Sequence, residues 1–177
     1  MLIIGYLTIR KSIEVIILKL TKGLEQAACI VALLSTQDSQ APLASDAISS
    51  RLSVSPSYLK KIMRKLVVHN IIRSVPGNNG GFFLARSPKK ISLLEIVEAV
   101  EGTDSSFPNS GLIKSVFGGI REDAAKRGEQ NLVDVFQQAD QVWGEYLAQI
   151  SIADLLTQTL EEHELPATNW NLFNQES

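Results

Sequence analysis

Two stretches decide the fold: Ser55-Pro-Ser-Tyr-Leu-Lys-Lys-Ile-Met-Arg-Lys-Leu66 and Val75-Pro-Gly-Asn-Asn-Gly-Gly-Phe82. In the first stretch, Ser55 suits a helix N-cap, and Pro56 suits the first helical position, where no amide hydrogen is needed. Apolar residues then recur at helical spacing and predict one buried stripe. The stripe consists of Leu59, Ile62, Met63 and Leu66. The stretch is therefore predicted to be a basic helix with one apolar face.

The rest of this helix surface carries cations and small hydroxyls, which suit phosphates and base edges in a DNA major groove. Upstream, the spacing of Ala47, Ile48 and Leu52 predicts a short helix that Ser45 would cap. Ser53-Val54 would then be the turn between the two helices. Two short helices joined in this way are typical of a helix-turn-helix.

Residues 70–75 and 82–86 are predicted to be strands, because apolar residues flank the run Gly77-Asn-Asn-Gly-Gly81. Glycine and asparagine tolerate the positive φ angles that hairpin turns require. The hairpin could be a plain surface feature, but its position directly after a basic helix favours a wing that touches DNA. A nucleotide-binding loop is excluded, because no Lys-Ser or Lys-Thr follows the glycines.

Charge is segregated along the chain. Residues 43–90 hold nine Lys or Arg and one acid, Asp46, a net charge of +8. Residues 91–177 hold four Lys or Arg and fifteen acids, a net charge of −11. This asymmetry predicts that only the first segment faces a polyanion, and that the binding depends strongly on salt.

The single cysteine, Cys29, excludes an intramolecular disulfide and predicts a reducing, cytoplasmic location. Cys29 falls in a predicted first helix over residues 20–35, where a lone cysteine is usually a small buried hydrophobe. A thiol switch is the alternative, and it would need exposure and a cationic neighbour. The histidines, His69 and His163, lie far apart and outside any catalytic motif, so no enzyme is expected.

Two further helices are predicted after the hairpin. Ser92-Leu-Leu-Glu95 fits a capping box, and Gly102 suits the end of the helix that it starts. Residues 103–119 are predicted to be a loop, because Ser, Gly, Pro and Asn are frequent. From Leu132 onward, apolar residues alternate in steps of four and three, which predicts a long helix with a packed seam. The seam residues are Leu132, Phe136, Ala139, Trp143, Tyr146, Ile150, Ala153, Thr157 and Leu160.

A helix of roughly 30 residues would span about 45 Å, which is too long to be covered within one small domain. A second copy of the chain is therefore the expected partner, and an intrachain helical hairpin is the alternative. The tail after Pro166, with Trp170 and Phe173, is expected either to dock locally or to stay loose.

The sequence resembles the Rrf-two type of bacterial winged-helix regulators, which includes the iron–sulfur cluster regulator, the nitric-oxide-sensing repressor and the cysteine-metabolism repressor. The resemblance covers residues 20–102 almost without gaps. The matching stretches are Leu20-Thr-Lys-Gly-Leu24, Val54-Ser-Pro-Ser-Tyr-Leu59, Ile62-Met-Arg-Lys-Leu66, Ile72-Arg-Ser-Val75, Gly80-Gly81, Leu84-Ala-Arg86 and Ile91-Ser-Leu-Leu-Glu-Ile-Val-Glu-Ala-Val-Glu-Gly102.

The resemblance implies a homodimeric transcription factor, usually a repressor, that binds double-stranded DNA. The expected DNA-binding residues are Ser55, Ser57, Tyr58, Lys60, Lys61, Arg64, Lys65, Arg73, Asn78, Asn79 and Gly80. The expected organisation is an N-terminal extension (1–19), a winged helix-turn-helix domain (20–102), a loop and linker region (103–130), a dimerisation helix (131–163) and a tail (164–177). Family chains usually begin at the position of Leu18, so residues 1–17 are interpreted as preceding the natural start.

Three departures from the family pattern matter. Cluster-binding members carry three cysteines in the loop that matches residues 103–119, and this loop has none, so no iron–sulfur cofactor is expected. Lys60 stands where the family often has glutamate, and Ser53 replaces the usual turn glycine. The signal remains open between a small molecule near residues 103–119, a protein partner and Cys29 oxidation. The alternative function is a protein-interaction module that uses a winged helix without reading DNA.

Overall fold

The computed structural model describes residues 20–161 and 164–172. The N-terminal extension, His163 and Phe173 lie outside the described residues, so the predictions made for them are not tested. In the described chain the elements are α1 (Lys22–Ser35), α2 (Ser45–Leu52), α3 (Pro56–Val68), β1 (Ile72–Val75), β2 (Gly81–Leu84), a 3₁₀ turn (Pro88–Lys90), α4 (Leu93–Glu101), α5 (Leu112–Ala148) and α6 (Ile152–Leu160). The predicted fold class, mainly α with a small β wing and a long helix, is confirmed.

The core lies between α1, α3 and α4 and extends under the hairpin and α6. The stripe predicted for α3 is confirmed, because all four of its apolar residues are buried. Large aliphatic side chains fill the centre, including Ile30, Leu43, Ile48, Leu66, Ile71, Ile91 and Ile96, each with essentially no exposed surface. Removing this apolar surface from water is the main force that holds α3 against α1 and α4.

The junction between α2 and α3 has the geometry of a helix-turn-helix. Ser53 ends α2 in the left-handed region, with φ 50° and ψ 44°, which explains why glycine would suit the position. Ser55 caps α3 as predicted, because its side chain accepts a 3.3 Å hydrogen bond from the Tyr58 amide. The prediction that Ser45 caps α2 is wrong: Ala44 is the N-cap, and Ser45 is already the first helical residue.

The hairpin is shorter than predicted, and β2 has a second pairing partner in an isolated bridge. Ile72 pairs with Leu84 and Val75 with Gly81 across the antiparallel strands. Leu43 then pairs with Phe82 on the other side of β2, through backbone hydrogen bonds of 3.0 and 2.9 Å. A Cβ atom at Gly81 would lie 2.3 Å from the Leu43 carbonyl oxygen, so only glycine permits this close approach.

The capping box of α4 and its end at Gly102, which has φ 96°, are confirmed. The loop predicted over residues 103–119 is wrong beyond Gly111, because α5 begins at Leu112. Most of the Ser, Pro and Asn residues of this segment precede Leu112, and Leu112, Val116 and Ile120 keep helical spacing through Gly118 and Gly119. Arg121, with φ −145° and ψ 70°, kinks this helix.

The single long helix predicted over residues 131–163 is also wrong in its bounds. It runs from Leu112 to Ala148 and stops, and α6 starts anew at Ile152. Ile150, Ala153, Thr157 and Leu160 were assigned to the same seam, but they lie beyond the end of α5. Ala153 is only 4% exposed, because α6 packs against α1 and the 3₁₀ turn. Across the described residues, no helix combines the length and apolar character needed to cross a membrane.

Candidate nucleic-acid interface

The exposed face of α3 carries the cations that the sequence predicted. Lys60, Lys61 and Arg64 are all exposed. Within the described chain, no carboxylate oxygen lies within 4 Å of these three side chains; the ion pairs there are Arg86–Glu95 and Lys126–Glu122. Their charges are therefore not neutralised by the protein, which leaves them available to an external anion.

The hydroxyls at the start of α3 have local structural roles. The Ser55 side chain is committed to the cap and lies 3.2 Å from the Ser57 hydroxyl. Tyr58 is 40% exposed and reaches toward the start of α1, since a Cβ atom built on Gly23 would lie 3.8 Å from the Tyr58 hydroxyl. Of the three predicted residues, Ser57 and Tyr58 present exposed polar groups beside Lys61, while Ser55 fixes the helix start.

Two predicted DNA-binding cations are held by the protein itself. Lys65 is half-buried, and its ammonium donates a hydrogen bond to the Val100 carbonyl at the last turn of α4. Lys65 therefore ties α3 to α4, and its ammonium is less available to an external anion than the exposed cations of the same helix. Arg73 is exposed, but its guanidinium carbon lies 4.7 Å from the ring centre of Phe83, the residue opposite it in the hairpin.

The tip of the hairpin presents backbone and amide groups to solvent. Asn78 and Asn79 are exposed, and the Gly80 amide donates a 2.9 Å hydrogen bond to the Gly77 carbonyl. A Cβ atom at Gly80 would lie 2.3 Å from the Val75 carbonyl oxygen, so the turn excludes larger residues at this position. The tip is thus a compact turn closed by a backbone hydrogen bond.

An open groove of about 490 Å³ separates α3 from the hairpin. Lys60 and Arg64 line one side, Ser74 and Phe82 line the other, and the start of α2 closes one end. Asp46 contributes a carboxylate to that end, and it is the sole acid among residues 43–90. α3 and the hairpin therefore flank one continuous surface.

The sequence did not reveal that Arg86 is structural. Its guanidinium donates to the carbonyls of Asn70 and Lys90, and it forms a 2.7 Å ion pair with Glu95. Burial alone would raise the pKa of the Glu95 carboxyl, but hydrogen bonds from Ser92 and the charge of Arg86 outweigh it and place that pKa below its ordinary value. This pair fixes the end of the hairpin against the start of α4.

Cys29 is exposed, so the expectation of a small buried hydrophobe is wrong. The residue lies on the face of α1 that points away from the core formed by Ala27, Ile30 and Val31.

A cavity of about 320 Å³ lies between α4, the following loop and α5. Its lining includes the apolar residues Val97 and Trp143 and the acids Glu98 and Asp140.

The cysteine content of the chain does not fit an iron–sulfur cluster held by cysteine ligands. Three thiolates would be needed for a cluster with cysteine ligands, and Cys29 is the single cysteine of the chain. Among residues 20–161 and 164–172, no group of three His, Cys, Asp or Glu side chains is arranged to hold a metal ion.

A helix-turn-helix with an unpaired basic face on its second helix, followed by a glycine-tipped hairpin, defines the class of winged-helix DNA-binding regulators. The sequence model of the Rrf2 family, described as iron-dependent transcriptional regulators, matches residues 20–158. The chain belongs to the Rrf2 family of transcriptional regulators, which is the family that the sequence resembles.

Curated relatives agree with this assignment. YwgB of Bacillus subtilis, named as an HTH-type transcriptional regulator, is 48% identical over 102 residues, which span 58% of this chain and 65% of YwgB. YffB of Lactococcus lactis, named in the same way, is 30% identical over 148 residues, which span 84% of this chain and 93% of YffB.

Solved structures share the fold at low sequence identity. The cysteine regulator CymR of Bacillus subtilis has a TM-score of 0.54 and 21% identity, with 80% of this chain and 98% of CymR covered. IscR of T. potens has a TM-score of 0.56 and 22% identity, with 88% of this chain and 97% of IscR covered.

Proposed function

We propose that this protein is a homodimeric, sequence-specific DNA-binding repressor that works without an iron–sulfur cluster. The observation that carries the proposal is the set of three exposed cations on one helix, Lys60, Lys61 and Arg64, which have no carboxylate partner in the described chain. A helix-turn-helix places this face in the major groove, where Arg and Lys contact phosphates and guanine edges. The wing would then follow the adjacent backbone with Asn78 and Asn79.

The binding should be strongly salt-dependent, because each phosphate contact releases a condensed counterion. Three cations on α3 in each of two protomers would account for a slope of log K against log salt of about −5. The acidic C-terminal half has the opposite charge and would stay away from the DNA, which orients the protein on its target.

Dimerisation through α5 is supported by an exposed apolar seam. Leu132, Val135, Val142 and Tyr146 are 41–64% exposed, and they follow heptad spacing with the exposed Ala139 between them. The seam predicted from the sequence also included Phe136 and Trp143. However, the Phe136 ring stacks on Phe107 of its own chain at 4.9 Å, and Trp143 is half-buried beside α4. The proposed interface is therefore the row of Val135 and Val142, together with Leu132, Ala139 and Tyr146.

The proposal of a repressor role rests on the resemblance to the family. The proposal that no cluster is bound rests on the presence of a single cysteine, Cys29. Two features are candidates for receiving the signal: the cavity beside Trp143, which could hold a small molecule, and the exposed Cys29 thiol. A regulatory protein on the acidic half is the third candidate.

The test is binding of the full chain to DNA from upstream of its own gene, against unrelated DNA, across a salt series. We expect selective binding with a steep salt slope, and a weaker slope for Lys60→Ala. Lys126→Ala is the matched control, because Lys126 is an exposed cation paired with Glu122 outside α3. Equal weak binding to both DNAs would contradict sequence-specific reading. No binding at low salt would favour the protein-interaction module.

The dimer is tested separately by sedimentation. Val135→Glu places a charge in the seam and should give a monomer at micromolar concentration, while Gln138→Glu on the same helix should leave the dimer intact. A monomeric wild-type protein, or a Val135→Glu variant that remains dimeric, would contradict the proposed interface. Loss of the dimer should also weaken operator binding, since two half-sites would no longer be read together.

A further inference from the structure

The C-terminal tail is bonded to the loop between α1 and α2. Thr168 pairs with Gln37 in an isolated parallel bridge. Its amide donates a 2.8 Å hydrogen bond to the Thr36 carbonyl, and its carbonyl accepts a 2.9 Å bond from the Asp38 amide. The tail therefore adds a short strand-like edge to a loop that is more than a hundred residues away in the sequence.

Trp170 adds side-chain contacts to the same loop. Its backbone amide donates a 3.0 Å bond to Gln37 Oε1, and its indole Nε1–H donates a 3.0 Å bond to Thr36 Oγ1. The Arg51 guanidinium carbon lies 4.8 Å from the ring centre, and Arg51 also donates a 3.4 Å bond to the Trp170 carbonyl. Because Arg51 belongs to α2, Trp170 links the loop to the first helix of the helix-turn-helix.

Asn171 holds the other end of the loop through both polar atoms of its side-chain amide. Its Oδ1 accepts a 2.9 Å hydrogen bond from the Ala44 amide, and its Nδ2 donates a 3.0 Å bond to the Pro42 carbonyl. Ala44 is the N-cap of α2. Leu43, between these two partners, is the residue that pairs with Phe82 of the wing. One amide side chain thus brackets the point where the helix-turn-helix and the wing meet.

We propose that Trp170 and Asn171 are positioning residues for DNA binding, and that the segment Thr168–Asn171 is a clasp that holds α2 and the wing in the DNA-reading geometry. This inference rests on the proposed function. The clasp satisfies four backbone groups of a nine-residue loop, namely the Thr36 carbonyl, the Asp38 amide, the Pro42 carbonyl and the Ala44 amide. Without it, the loop must find other partners for these groups, and its ends are free to move.

The clasp acts on geometry and not on charge. None of the tail residues in the described chain lines the groove between α3 and the hairpin. If loss of the clasp leaves about a tenth of the molecules in the DNA-reading geometry, the apparent Kd for the operator rises about tenfold. The number of phosphate contacts in the bound state stays the same, so the salt slope does not change.

The experiment uses the full chain with Asn171→Ala and, as the control, Leu172→Ala, whose side chain is 78% exposed. Operator affinity, its salt slope and backbone amide exchange are measured for each variant. For Asn171→Ala we expect an operator Kd about tenfold higher, an unchanged slope and faster exchange at the Ala44 amide. Leu172→Ala should match the wild type in all three.

An Asn171→Ala variant with wild-type operator affinity would overturn the inference. A shallower salt slope would also overturn it, because it would show that the tail contacts phosphates directly. If Asn171→Ala does not fold, Trp170→Phe decides in its place: this variant keeps a ring beside Arg51 and loses the indole donor to Thr36. If the wild type binds no DNA, the proposed function fails, and the clasp is then tested by amide exchange alone. Faster exchange at the Ala44 amide in Asn171→Ala would support the clasp, and unchanged exchange would overturn it.

Discussion

Ser92 pairs with Ser151 in an antiparallel bridge that sets the starts of α4 and α6 side by side. The Leu93 amide donates a 2.8 Å hydrogen bond to the Ile150 carbonyl, and the Ile152 amide donates a 2.9 Å bond to the Ile91 carbonyl. Each serine also caps its own helix, with Glu95 and Asp154 completing the two capping boxes. The winged-helix domain is therefore joined to the segment that follows α5 by two backbone hydrogen bonds and a matched pair of caps.

Replacement of Ser151 by alanine should lower the free energy of unfolding by about 1 kcal/mol, as expected for loss of an N-cap. The hydroxyl accepts a 3.1 Å hydrogen bond from the Asp154 amide and donates a 2.6 Å bond to the Asp154 carboxylate. Urea denaturation followed by circular dichroism measures the change. Ser115→Ala, at an exposed site in α5, is the control and should change stability by less than about 0.5 kcal/mol. Equal stability of Ser151→Ala and the wild type would contradict a separate α6.

The sequence predicted the first capping box and missed the second, for a physical reason. Ile91-Ser-Leu-Leu-Glu95 follows polar residues, so the start of α4 can be recognised in the sequence. Ile150-Ser-Ile-Ala-Asp154 follows a helix whose apolar spacing continues in phase through Ala153 and Leu160. Helical periodicity reports that residues share a face, but it does not report that the chain has turned between them.

Local chemistry was predicted better than long-range contacts. The Ser55 cap, the α3 stripe and the glycine turn depend on neighbours within a few residues, and all are present. Lys65 and Arg86 both contribute to the net charge of residues 43–90, but that charge does not reveal their partners, Val100 and Glu95, because these come from α4. A sequence shows where charge is concentrated, but only the fold shows which cations the protein already binds.

Replacement of Ser53 by glycine should stabilise the protein by about 0.5 to 1 kcal/mol. A left-handed conformation costs a residue with a Cβ atom roughly 1–2 kcal/mol, and the greater freedom of glycine in the unfolded chain offsets part of the gain. Ser50→Gly is the control, because Ser50 lies within α2 and the same change there should destabilise by about 0.5 to 1 kcal/mol. Thermal unfolding that moves both variants in the same direction would contradict the left-handed turn.

The stability of the protein should fall in acid partly because of Glu95. Its pKa in the folded state lies below the ordinary value of 4.5, so its contribution is present above that pH and is lost as the pH falls through the folded-state pKa. Glu95→Gln should therefore be less stable than the wild type at neutral pH and should lose less stability on acidification below about 4.5. Urea unfolding at pH 7, 5 and 3.5 measures the difference. Parallel pH profiles for the two proteins would contradict the ion pair with Arg86.

Arg64 and Lys65 are adjacent in α3 and should respond in opposite ways to replacement by alanine. Arg64 is exposed and has no carboxylate within 4 Å in the described chain, so its loss should leave stability within about 0.5 kcal/mol of the wild type. The salt slope of operator binding should become shallower by about one unit for each protomer, because a phosphate contact is removed.

Lys65 donates to the carbonyl of Val100, which is one of the last carbonyls of α4 and lacks an intrahelical partner. Lys65→Ala should therefore lower the free energy of unfolding by about 1 kcal/mol, since a charged donor is lost from a half-buried acceptor. Its salt slope should match the wild type, because the ammonium is already bound to the Val100 carbonyl and we expect it to make no phosphate contact. Denaturation and salt titration of both variants form one experiment. A shallower slope for Lys65→Ala would return this residue to the DNA interface, and unchanged slopes for both variants would place the DNA on another face of the domain.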